Sequence, residues 1–86
     1  MTREQIEKLK ELAVQVNEIH DEVEGLCGIG PCFVDWKMVP SVQMRFKSFS
    51  ETFKTYERKE YTKEYEEAYI CLDGVRFFAL VEREEE

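Results

Sequence analysis

Apolar side chains recur at Ile6, Leu9, Leu12, Ala13, Val16, Ile19 and Val23, in steps of three and four. That is helix spacing, and Glu4, Glu7, Glu11, Glu18 and Glu22 fall on the opposite side. Thr2 and Gln5 have capping-box spacing, and Glu4 with Lys8 makes a favourable i,i+4 pair. The pattern predicts one amphipathic helix of about six turns that stops near Gly25. The period then changes to two. Val34, Trp36 and Met38 alternate with Asp35 and Lys37, and Val42, Met44 and Phe46 alternate with Gln43, Arg45 and Lys47. Two strands are therefore expected over 32–39 and 41–48, with Pro40 and Ser41 as a tight antiparallel connection. Phe49, Phe53 and Tyr56 return to helical spacing, so a short second helix is expected over about 50–57.

The sharpest local signal is Asp73-Gly74, flanked by β-formers. Such a pair favours a two-residue hairpin turn, because both central positions need positive φ. A two-residue loop pairs Leu72 with Val75, Ile70 with Phe77 and Ala68 with Ala79 on one face. It pairs Cys71 with Arg76, Tyr69 with Phe78 and Glu67 with Leu80 on the other. A solvated sheet face should be polar, yet this second face carries Tyr65, Tyr69, Phe78 and Leu80. Either the short helix covers it, or another chain or ligand does. The resulting expectation is a single α+β domain over 1–86. Its long N-terminal helix packs on a four-stranded antiparallel sheet in the order helix, strand, strand, short helix, strand, strand, and the acidic tail 82–86 is frayed.

The chain has 86 residues, of which 43% are hydrophobic, enough for one packed core. A formal net charge of −7 opposes non-specific nucleic-acid binding and favours either solubility alone or a basic partner surface. The cationic residues Arg45, Lys47, Arg58, Lys59 and Lys63 lie near Phe46 and Phe49 but are interleaved with glutamates, which reads as a solvated mixed-charge face. No run reaches the ~18 apolar residues of a membrane span. The start lacks a signal-peptide core, and the cysteine count is odd, so a cytoplasmic protein with reduced thiols is expected.

The stretch "GLCGIGPCFVDW" from residue 25 is the nearest approach to a chemical motif. A zinc site would need Cys27 and Cys32 joined by His20 and Cys71, which share no local motif with them; thiols flanking a turn are the plainer reading. A phosphate site needs strand, glycine loop, then helix, and here the order is reversed. Gly28, Gly30 and Pro31 are therefore expected only to turn the chain. His20 is the single histidine, on the flank of the helix stripe, and no nucleophile stands at a telling spacing from it.

The segment "YEEAYICLDGVRFFALV" resembles the C-terminal half of small proteins carried by phages and prophages of Gram-positive bacteria, over mainly residues 61 to 81. The resemblance brings no known catalytic residues to transfer, and no metal or cofactor is expected. It implies a mobile-element context, in which small proteins act by binding and blocking a host factor, including host defence systems. The function expected from the whole reading is non-enzymatic binding of a protein partner, with a homodimer in view. Tyr65, Tyr69, Phe78 and Leu80 are the anchors. A different class of function is sequestration of a small ligand or signalling nucleotide at a dimer cleft, with Trp36 stacking on it. A third is a small metalloprotein.

Overall fold

A computed structural model describes residues 1–83. It is α+β: an N-terminal helix and a five-stranded mixed sheet with a second, short helix on one face. In chain order the elements are α1 (Arg3–Glu22), β1 (Leu26–Val34), β2 (Lys37–Met44), α2 (Phe46–Thr52), β3 (Glu57–Glu60), β4 (Tyr65–Leu72) and β5 (Val75–Glu82). The sheet order is β1-β2-β5-β4-β3. Every neighbouring pair is antiparallel except β2 and β5, which run parallel over Ser41–Gln43 and Arg76–Phe78.

The helix start is capped as its sequence requires. The Thr2 side chain accepts from the Gln5 N–H at 3.1 Å, and the Thr2 N–H donates to Gln5 Oε1 at 2.8 Å. The surface ion pair that forms is Lys10 with Glu7, at 3.4 Å, rather than Lys8 with Glu4. At the far end Gly25 takes φ +84, and a β-carbon there would collide with the Ser48 side chain. The Gly25 carbonyl accepts from the Arg45 N–H at 2.7 Å, which ties the end of α1 to the start of α2.

The expected packing of the long helix on the sheet is not what forms. No residue of α1 is buried, and Leu9, Leu12 and Val16 are 54%, 55% and 36% exposed. Only Val23, at its C-cap, reaches the core. The radius of gyration is 15.1 Å, where a compact chain of this length has about 12 Å. The reason is competition for one face. Phe46, Phe49, Phe53 and Tyr56, held beside the sheet by the direct connection of α2 to β2, occupy it, and Phe49 is fully buried on Met44, Ala68 and Ala79.

The first hairpin turns at Asp35-Trp36, not at Pro40-Ser41, and both turn residues have positive φ. Pro40 lies inside β2, opposite Pro31 and just outside the stretch that pairs with β5, where its missing N–H costs no ladder bond. The supposed glycine loop is the edge strand β1, and α2 begins at Phe46 rather than near residue 50. The fifth strand is β3, "ERKE", four exposed charged residues with no apolar alternation to announce them. Charge along an edge strand also discourages pairing with a stray chain. At the C-terminus β5 runs through Glu82, and the Arg83 N–H donates to the Glu64 carbonyl at 2.7 Å, so the expected fraying does not start at residue 82. Residues 84–86 of that expected tail lie outside the described residues.

Candidate functional site

The closing hairpin has the register that Asp73-Gly74 dictates, with Leu72 opposite Val75, Tyr69 opposite Phe78 and Glu67 opposite Leu80. Strand parity then sorts the side chains. Ala68, Ile70, Phe77, Ala79 and Val81 point toward α2 and make the core with Met44 and Val42. Tyr65, Glu67, Tyr69, Arg76, Phe78 and Leu80 share the other face, and neither α1 nor α2 packs on it. The short helix thus covers the face opposite to the one with the four anchor residues.

The centre of this open face is charged. Arg76 is 4% exposed and Glu67 6%, and the guanidinium pairs with the Glu67 carboxylate. Lys59 Nζ adds a longer contact to the same carboxylate at 3.8 Å. Arg76 lies 4.9 Å from the Tyr69 ring centroid and 5.1 Å from that of Phe78, so the cation is held between two aromatic rings. Burial pulls its pKa below that of a free guanidinium, opposed by Cys32 and Asp35 nearby, and an arginine stays protonated in any case. The two rings are half-buried because they shield this cation. They are walls of a charged box as well as apolar anchors, a role that alternation alone does not reveal.

Two hollows flank the box. One, of about 420 Å³, is lined by Asp35, Lys37, Lys59, Tyr69, Cys71 and Arg76 among others. The second, of about 200 Å³, lies over Gly28, Gly30 and Ser41 beside Phe78. Here the glycines of the opening motif acquire a purpose in the fold. They leave a strip of strand without side chains, and nothing stands within 4 Å of where their β-carbons would be. The face is therefore an aromatic and charged ridge with a shallow recess on each side. Glu57 and Glu82, opposite Tyr69 and Tyr65 in register, put acid at its rim.

Trp36 is not part of this arrangement. It sits at the tip of the first hairpin, 90% exposed and with φ 67, and its ring meets Phe33 edge-on with centroids 6.2 Å apart. It lines neither hollow. The candidate metal ligands are likewise not gathered: among the described residues no three histidine, cysteine or acidic side chains form a group that could hold an ion. Cys27, Cys32 and Cys71 are free thiols. Among the described residues no helix is long and apolar enough to cross a membrane.

Tyr69 carries a testable electrostatic signature. Glu57 stands opposite it across β3 and β4, and its carboxylate, as a hydrogen-bond acceptor for the phenol and as a charge, together with burial raises the Tyr69 pKa above 10.0. The folded state then keeps a proton that the unfolded chain would release at pH 10.0. The contribution to stability is complete below that pH and is lost as pH rises through the raised value. Ultraviolet titration of phenolate, with Tyr69→Phe as the subtraction, should show Tyr69 ionising late. Glu57→Gln should bring it back toward 10.0; a titration unchanged by that substitution would contradict the assignment of cause.

Comparison with family models, with curated proteins and with solved structures finds no match to this chain.

Proposed function

We propose that this chain is a non-enzymatic binding protein of mobile-element origin that blocks a host protein by laying its open sheet face over a basic surface. The observation that carries the reading is the uncovered face itself, where Tyr65, Tyr69, Phe78 and Leu80 surround a pre-formed Arg76–Glu67 pair. Rigid aromatic side chains cost little entropy when immobilised and dominate interface cores. Here two of them are already fixed by the guanidinium, so less ordering remains to be done on binding. The rim acids Glu57 and Glu82 and the net charge of −7 favour approach to a basic partner, raising association rate more than affinity. The host-defence setting comes from the resemblance of the closing hairpin to phage and prophage proteins.

The test is site-resolved photo-crosslinking in bacterial cells. A crosslinking amino acid at Tyr65 or Leu80 is expected to trap one host protein, and the same label at Lys54, just beyond α2, is not. Higher salt should reduce the yield. Tyr65→Ser should abolish trapping from Leu80 while leaving the fold intact, since Tyr65 is 39% exposed and outside the core. Equal trapping from all three positions, or none from any, would dispose of the proposal.

A second reading rests on the larger hollow. At about 420 Å³ it is of ligand size, and Lys37 and Lys59 line it against the single acid Asp35, with Arg76 behind them already paired to Glu67. A small anionic ligand, such as a nucleotide, is the class that this lining would accept. Phosphate-bearing ligands that protect Lys59 from chemical modification would favour it over a protein partner.

A further inference from the structure

We propose that α1 is a self-association element that pairs antiparallel with α1 of a second copy. This inference does not depend on what the sheet face binds. Helices in proteins owe most of their stability to a packed apolar face rather than to intrinsic propensity. Yet α1 extends for 20 residues with none buried, and its apolar stripe has no partner among the described residues. The core that could have taken it is already filled by α2.

The heptad pattern selects the partner. With Leu9 and Val16 at a, Leu12 and Ile19 fall at d, and Ala13 and Ile6 widen the stripe at e. In an antiparallel pair a faces d of the other copy. Leu9 then meets Ile19 of the second copy and Leu12 meets Val16, and by symmetry the same two layers repeat on the far side of the axis. At the flanking g positions of that register Lys8 faces Glu22 of the second copy, twice, with Gln15 facing its own equivalent at the centre. A shift of one heptad in one direction needs Val23, already packed in the core, to complete its layers; in the other it sets Val16 against Gln5 and Ile19 against Thr2; both lose the two Lys8–Glu22 pairs. The charges also reject the parallel arrangement. Arg3, Lys8 and Lys10 balance Glu4, Glu7 and Glu11 in the first half of the helix, whereas Glu18, Asp21, Glu22 and Glu24 crowd its end. Parallel helices would set the two acidic ends side by side, and antiparallel ones set each against the more basic half.

Sedimentation equilibrium at micromolar protein, with the full chain, tests the pairing. The wild type is expected to be dimeric. Lys8→Glu sets carboxylate against carboxylate at both flanking contacts, and Glu22→Lys sets ammonium against ammonium at both. Each single variant should self-associate about tenfold more weakly, from exchanging attractive surface pairs for repulsive ones. An equal mixture of the two should recover association as a heterodimer. In it one flanking contact joins the two introduced residues and the other the two original ones, and both are opposite in sign. Circular dichroism should show the sheet intact in both variants, since α1 lies outside the core, with helical signal lost only in step with dissociation. A monomeric wild type, single variants that associate normally, or a mixture that fails to recover would each overturn the proposal.

Discussion

Phe49→Ala is expected to cost about 3–5 kcal/mol, the range for emptying a fully buried aromatic site. For 86 residues at the usual 0.05–0.15 kcal/mol per residue, total stability is about 4–13 kcal/mol, so the variant should lose a large share of it. The site leaves little room to recover. Phe49 has no exposed surface and rests on Ala68 and Ala79, themselves fully buried and opposite each other across β4 and β5. Two alanines let the ring approach the strands closely, and their single methyl groups cannot reach into the space left behind. Phe53 and Tyr56, each 5.0 Å from Phe49 between ring centroids, would lose their contact with it as well. A urea titration followed by far-ultraviolet circular dichroism measures the loss. The emission of Trp36 is a poor substitute, because that side chain is solvated in the folded state. A midpoint close to wild type would mean that the α2 aromatics do not form the core.

Arg76→Met is expected to be nearly as damaging, at about 3–5 kcal/mol, for a different reason. It leaves the Glu67 carboxylate buried, with only the more distant Lys59 to answer it. The informative comparison is the double variant Arg76→Met, Glu67→Leu. A buried pair replaced as a unit by apolar side chains is often neutral or better, so the double variant should return to within about 1 kcal/mol of wild type. Urea midpoints for the single and double variants give the result directly. If the single variant is harmless, the charged box does not exist as described. If the double variant is as unstable as the single, the loss comes from packing of the guanidinium between Tyr69 and Phe78 and not from a stranded charge. A stable double variant would also keep a folded sheet without the charged centre, which separates the contribution of the box to binding from its contribution to folding.

Both predictions concern features that alternation of side chains foretells only in part. Apolar periodicity marks Phe49 as a helical neighbour of Phe53 and Tyr56, but not as the residue at the centre of the core. Register from Asp73-Gly74 places Arg76 on the same face as Tyr69, Phe78 and Glu67, yet nothing in that register says that the arginine is buried.

What the chain determines by itself is whatever is decided within a few residues: the Thr2–Gln5 cap, the amphipathic character of α1, the stop at Gly25, and the pairing of the closing hairpin residue by residue. Caps and two-residue turns are short-range, and their side chains carry the information. The turn at Asp35-Trp36 escapes this reading because a tryptophan at positive φ is no signal for a turn, while Pro40 is a misleading one. The strand β3 escapes it because four charged residues show no alternation. The tertiary structure alone decides the parallel pairing of β2 with β5, the side of the sheet that α2 occupies, the burial of Arg76 with Glu67, and the exclusion of α1 from the core. Each of these is a competition between distant segments for one surface. Its outcome depends on which apolar side chains are connected closely enough to arrive there, and local periodicity records only that such side chains exist.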